Sequence, residues 1–113
     1  MPAGIYAKEY LQKIGLWEKI VAKVVPTENV RACLAAVESG NVDAGFVYKT
    51  DALISKKVRV AYEVSAADGP KISYPLAVVK NSAHAEAAGK FAAYLASPAA
   101  RAVFAKYGFI VLP

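Results

Sequence analysis

The chain has 113 residues, of which 57% are hydrophobic and 20% charged, and this composition excludes a disordered linker and predicts a single globular domain. The net charge of +5 comes from scattered lysines and not from a basic stripe with interleaved aromatic residues, which argues against a nucleic-acid partner. The single cysteine, Cys33, excludes an internal disulfide framework, and no apolar run reaches the roughly 18–20 residues that cross a bilayer.

Helices and strands are predicted to alternate along most of the chain. In chain order the patterns predict a helix over 4–15, a short helix over 16–22, a strand over 23–26, a helix over 28–39, a strand over 44–48, a helical turn over 50–54, strands over 58–62 and 73–80, a helix over 83–96, and a last helix that begins at Pro98 and ends at Gly108. This order predicts an α/β fold with a mostly parallel sheet flanked by helices.

Several helix ends carry specific signals. Gly15, Gly40 and Gly108 each fit the position just after a helix, where a positive φ is often required. Ser97 followed by Pro98 is the favoured order of an N-cap and a first helical residue.

Two helix starts are candidates for binding an anion. Pro2-Ala3-Gly4 leads directly into the first helix, and Glu28-Asn29-Val30 opens the helix after the 23–26 strand, with Asn29 or Thr27 as its cap. The first amides of a helix have no intrahelical acceptor, and the helix dipole adds partial positive charge there. Most helix starts bind only water, so two of them alone are weak evidence.

Tyr48 is the third candidate, at the end of the apolar run 44–48. Ligands of open α/β sheets bind beyond the carboxyl ends of strands, and a tyrosine hydroxyl can donate a hydrogen bond there. The alternative is a core tyrosine with a satisfied hydroxyl. Two helix starts and one phenol that converge would form a small anion site.

Catalysis has little support in the sequence, and we predict that the chain is not an enzyme. His84 is the only histidine, it lies at the start of a surface helix, and no nucleophile or orienting partner is evident for it. Cys33 lies on an apolar helical stripe and is typical of a small core residue. Glu28 is the only titratable residue expected near Ala3, Val30 and Tyr48.

The chain resembles the molybdate-binding proteins of bacterial ABC transporters. The resemblance is carried by the segments PAGIYAKE (2–9), GLW (15–17), ENVR (28–31), DAGFVYKTDA (43–52), YPLAVV (74–79) and YGF (107–109). It extends over essentially the whole chain and corresponds to the C-terminal half of such a protein.

The resemblance implies one lobe of a type II periplasmic binding-protein fold. It implies that molybdate or tungstate is held by the backbone amides of Ala3 and Val30 and by the Tyr48 hydroxyl, with no positively charged side chain, no catalytic group and no cofactor. Residues 1–82 then form the second lobe without its first strand, which would lead into Pro2. Residues 83–113 would pack on a first lobe that the chain lacks.

Further expectations concern partners and location. The parent protein is expected to be periplasmic and to work with a membrane permease, and this chain alone is expected to bind the oxyanion weakly or undetectably. Apolar residues of the last helices and tail would be exposed without a first lobe, which predicts a homo-oligomer or a segment-exchanged dimer. The alternative function is a ligand-sensing or self-associating module of a regulator with the same lobe fold.

Overall fold

A computed structural model describes residues 2–113, and Met1, where the resemblance places the missing strand, lies outside them. Within the described residues the regular elements are α1 (Pro2–Lys13), α2 (Trp17–Ile20), a 3-10 turn (Val21–Lys23), α3 (Val30–Glu38), α4 (Lys49–Ile54), α5 (Ala85–Leu95) and α6 (Pro98–Lys106). No helix among them is long and apolar enough to span a membrane.

The predicted helices are confirmed, with shifts of a few residues at their ends. The backbone at Gly15, Gly40 and Gly108 has φ of 71°, 74° and 89°, so all three occupy the left-handed region expected after a helix. The Ser97 hydroxyl accepts a hydrogen bond from the Ala100 amide at 3.3 Å, and Pro98 is in the first turn of α6. Local capping chemistry therefore determines where these helices begin and end.

The predicted strands and their mostly parallel sheet are not found in residues 2–113. Parts of the predicted runs are extended, with φ −72° and ψ 124° at Val24 and φ −72° and ψ 148° at Tyr48. An extended run becomes a strand only when a neighbouring run pairs with its amides and carbonyls, and no such ladder joins the described segments. The sequence pattern predicted the backbone conformation but not the pairing.

The chain divides into two compact units, one ending at Lys71 and the other formed by Ile72–Pro113. The predicted division at residues 82 and 83 concerned packing on a first lobe, and it stays a prediction.

In the first unit, α1 carries the core. Ala3, Tyr10 and Leu11 lie on one side of α1 and are buried, as the i, i+7, i+8 spacing favours. The Lys13 ammonium donates to the Asp68 carbonyl at 2.8 Å, and the Tyr10 hydroxyl donates to the Tyr62 hydroxyl at 3.5 Å. These contacts attach the chain around residues 62–68 to α1.

The Tyr10–Tyr62 contact predicts a loss of stability at high pH. Its hydrogen bond, with a smaller contribution from burial, raises the pKa of the Tyr10 phenol above the ordinary 10.0. A raised folded-state pKa contributes stability that is complete below the unfolded pKa of about 10 and is lost as pH rises through the folded value. We expect the urea midpoint of unfolding to fall as the pH is raised above about 10, and to fall less in Tyr62→Phe. Equal slopes in the two proteins would contradict the assignment.

In the second unit, aromatic rings fasten the C-terminal tail to α6. The Phe109 ring meets Phe104 and Tyr74 edge-on at centroid distances of 5.9 and 5.8 Å. The Arg101 guanidinium donates to the Leu112 carbonyl at 2.8 Å. Ala100 is buried at 5% exposure. The C-terminal tail therefore packs against α6.

Candidate functional site

The start of α3 is built by an asparagine cap. The Asn29 backbone is extended, with φ −156° and ψ 173°, and its side-chain oxygen accepts a hydrogen bond from the Ala32 amide at 2.9 Å. Asn29, and not Thr27, is therefore the cap. Because this bond satisfies the third helical amide, the amides of Val30 and Arg31 remain as the first two, which have no acceptor within the helix.

The start of α1 is formed by small residues. Pro2 is its first residue, and proline is favoured there because the missing amide would have no helical acceptor. Ala3 is the second residue, its side chain is buried, and its amide belongs to the same unpaired first turn. A β-carbon built on Gly4 would meet nothing within 4 Å, so the entry to the helix is sterically open.

Tyr48 is placed by the packing of the segment before it. A β-carbon on Gly45 would lie 2.6 Å from Cys33 Sγ and 3.1 Å from Val37 Cγ2, so the absent side chain lets this segment lie against α3. The Cys33 thiol also donates to the Phe46 carbonyl at 3.7 Å. Tyr48 then occupies the N-cap position of α4 and is half-buried.

Val30 and Tyr48 line one open pocket of about 420 Å³. The pocket is formed within the first unit, and its lining residues are Pro2, Asn29, Val30, Arg31, Tyr48 and Asp51. Two of the predicted site residues thus share one pocket. Ala3 is not a lining residue, although Pro2, its neighbour in the first turn of α1, is one.

The prediction that Glu28 is the titratable residue near this site was wrong. Glu28 does not line the pocket, whereas Asp51 and Arg31 do. Sequence signals existed for both residues, since Arg31 follows Val30 in the first turn of α3 and Asp51 is in the first turn of the helix that Tyr48 begins.

The starts of α1 and α3 at this pocket carry no negative charge, unlike the start of α4, where Asp51 lines the pocket. Neither α1 nor α3 has an acidic residue in its first turn, and neither does α6, whereas α2, α4 and α5 have Glu18, Asp51 and Glu86 there. Acidic residues are common in the first turn because they offset the helix dipole. Their absence from α1 and α3 leaves the positive ends of both dipoles available to an anion.

The part of the chain that the structure describes contains no set of side chains that could bind a metal ion. No group of three or more histidine, cysteine, aspartate or glutamate side chains comes together there. His84 is exposed at the N-cap position of α5, and Cys33 is half-buried.

Asn29 is expected to affect stability and anion binding separately. Asn29→Ala removes the cap of α3 and should lower the free energy of unfolding by about 1 kcal/mol. Asn29→Asp retains the cap acceptor and should remain near the original stability, but it adds a negative charge to the pocket wall and should weaken anion binding. Urea unfolding and anion titration of both variants check this, and a destabilised Asn29→Asp protein that binds normally would contradict it.

Comparison with known proteins relates the chain to bacterial solute binding. The family described as bacterial extracellular solute-binding protein matches residues 1–110. The molybdate-binding protein ModA of Escherichia coli is 42% identical over 111 residues, which cover 98% of this chain and 43% of that protein. YvgL of Bacillus subtilis, provisionally named as an ABC transporter substrate-binding lipoprotein, is 51% identical over 109 residues, which cover 96% of this chain and 42% of that protein.

A solved structure agrees with these relatives. A substrate-binding domain from Clostridium difficile, provisionally assigned to a molybdenum ABC transporter, matches with a TM-score of 0.85 at 36% identity, covering 99% of this chain and 49% of that one. The chain thus spans less than half the length of the proteins it matches here. Because the family match extends over nearly all of its residues, the chain belongs to the bacterial extracellular solute-binding protein family.

Proposed function

We propose that this chain contributes part of the oxyanion site of a molybdate- or tungstate-binding component of an ABC transporter. The observation that carries the proposal is the shared pocket, in which the start of α3 at Val30 lies beside Tyr48. The names of the Escherichia coli and Clostridium difficile relatives support molybdate as the ligand.

Neutral donors suffice for such a ligand. The amides of Ala3 and Val30 belong to first turns, where they have no intrahelical acceptor, and the Tyr48 hydroxyl can donate a third hydrogen bond. Hydrogen bonds to a charged acceptor are stronger than those between neutral groups. The preorganised amides at the two helix starts therefore hold the dianion without a covalent or catalytic step, and we expect no enzymatic activity.

The parent protein is proposed to act in the periplasm and to deliver its oxyanion to a membrane permease. In that parent we expect a type II binding-protein fold, in which the extended runs of this chain pair within a mostly parallel sheet. The two lobes of that parent would close over the anion by a hinge motion. The chain alone then holds a half-site, so its own affinity should be weak.

Self-association is a separate proposal, and it rests on exposed apolar residues of the second unit. Phe91, Val103, Ile110 and Leu112 are 61%, 54%, 77% and 73% exposed. Exposed apolar side chains favour association when they form a continuous surface, so a second copy of the chain is the expected partner. Light scattering should show a mass that rises with concentration, and a monomer at high concentration would contradict this proposal.

Titration of the ¹⁵N-labelled chain with sodium molybdate tests the oxyanion proposal. We expect saturable shifts of the Ala3 and Val30 amides with a Kd near the millimolar range, which corresponds to only about 4 kcal/mol of binding free energy. Sodium chloride at equal ionic strength is the control for nonspecific anion effects. Tyr48→Phe should weaken binding about tenfold or more because it removes one donor to a charged ligand.

Two results would count against the proposal. Shifts confined to scattered lysines, without saturation, would contradict a site at the helix starts. Nanomolar binding by this chain alone would contradict the half-site.

A further inference from the structure

Among residues 2–113, Arg31 is the one cationic side chain that lines the pocket, and its position is not explained by helix stability. It is the second residue of α3 and is exposed. A cation in the first turn of a helix faces the positive end of the dipole, which disfavours it. A residue that opposes a local rule is a candidate for a functional role.

Lys49 provides a comparison within the same unit. It also occupies a first turn, that of α4, but its ammonium forms an ion pair with Glu63 at 2.8 Å. Within residues 2–113, no carboxylate oxygen lies within 4.0 Å of the Arg31 guanidinium. An ion pair therefore offsets the unfavourable interaction with the helix dipole at Lys49, and no ion pair offsets it at Arg31.

Asp51 is the opposing charge in the same pocket wall. It is half-buried and lines the pocket together with Arg31, without forming an ion pair with it. A carboxylate there repels an anion, so its effect on the pocket potential is opposite to that of Arg31.

We propose that Arg31 is a specificity-determining residue that favours a divalent oxyanion over a monovalent one, and that Asp51 opposes it. This inference rests on the proposed function. The amides and the Tyr48 hydroxyl donate to any tetrahedral oxyanion, whereas the attraction to a guanidinium doubles when the charge of the anion doubles. A charge about 7 Å from the anion in water changes affinity about threefold for a monoanion and about sevenfold for a dianion.

The test compares molybdate with perchlorate, which is also tetrahedral but carries a single charge. At low salt, Arg31→Gln should weaken molybdate binding about sevenfold and perchlorate binding about threefold, so the preference for the dianion narrows. Arg31→Lys should retain most of the preference for molybdate over perchlorate. Asp51→Asn should strengthen the binding of both anions. The losses in Arg31→Gln should shrink when salt is raised, because screening weakens exposed charges.

Arg59→Gln is the matched control, since Arg59 is an exposed arginine that does not line the pocket. It should leave the preference between the two anions unchanged. Suppose that the original protein binds molybdate and that Arg31→Gln has the same affinity for both anions as the original at every salt concentration. The inference is then overturned, and the proposed function stands. If the original protein binds neither anion, both are overturned.

Discussion

Replacing Val30 with proline should weaken molybdate binding about 10- to 150-fold while the fold is retained. The substitution removes one backbone donor and little else. A hydrogen bond to a charged group contributes about 1.5–3 kcal/mol, which corresponds to this range of Kd.

Position 30 accepts proline because of its place in α3. Val30 is the first residue of the helix, where proline is favoured and its missing amide has no intrahelical acceptor. The residue before a proline must be extended, and Asn29 already has φ −156° and ψ 173°. The Asn29 cap to the Ala32 amide is left in place.

Val30→Ala is the matched control, because it shortens the side chain and keeps the amide. The ¹⁵N titration with molybdate and a urea unfolding curve should be measured on both variants. A Val30→Pro protein that is as stable as Val30→Ala and binds molybdate equally well would show that the Val30 amide does not hold the anion.

Gly45→Ala should cause the largest loss of stability, about 1–3 kcal/mol, because it overpacks the contact between α3 and the segment before Tyr48. The new β-carbon would lie 2.6 Å from Cys33 Sγ, closer than any normal contact. The segment would have to move away from the helix, and Tyr48 would move with it. Anion binding should therefore weaken together with stability.

A second substitution isolates the cause of this loss. Cys33→Ala removes the sulfur atom, so the double variant should be more stable than the sum of the two single effects predicts, by about 1 kcal/mol or more. Gly4→Ala is the control for adding a methyl group, since nothing lies within 4 Å of its β-carbon. Urea unfolding of the original protein, Cys33→Ala, Gly45→Ala and the double variant measures the coupling. Additive effects of Cys33→Ala and Gly45→Ala would contradict the proposed steric contact.

Local signals in the sequence predicted the helices and two members of the pocket. Gly40 and Ser97 specify helix ends through backbone chemistry that involves only neighbouring residues. Val30 and Tyr48 were found because a helix start and the end of an apolar run are both readable from the sequence.

Longer-range features could not be predicted in this way. The run 73–80 has the composition of a strand, but whether it forms a ladder depends on a partner that the pattern does not identify. The position of Asp51 in the pocket follows from the packing of Gly45 against Cys33, which brings distant parts of the chain together. The burial of the Ala3 side chain likewise depends on the packing of α1.

A crystal of this chain soaked in sodium tungstate, with the tungsten atom located by its anomalous scattering, tests the central claim most directly. The account predicts one tungstate with oxygens within about 3.2 Å of the amide nitrogens of Ala3 and Val30 and of the Tyr48 hydroxyl. A tungstate bound only at surface lysines, with the start of α3 and Tyr48 left in contact with water, would contradict it.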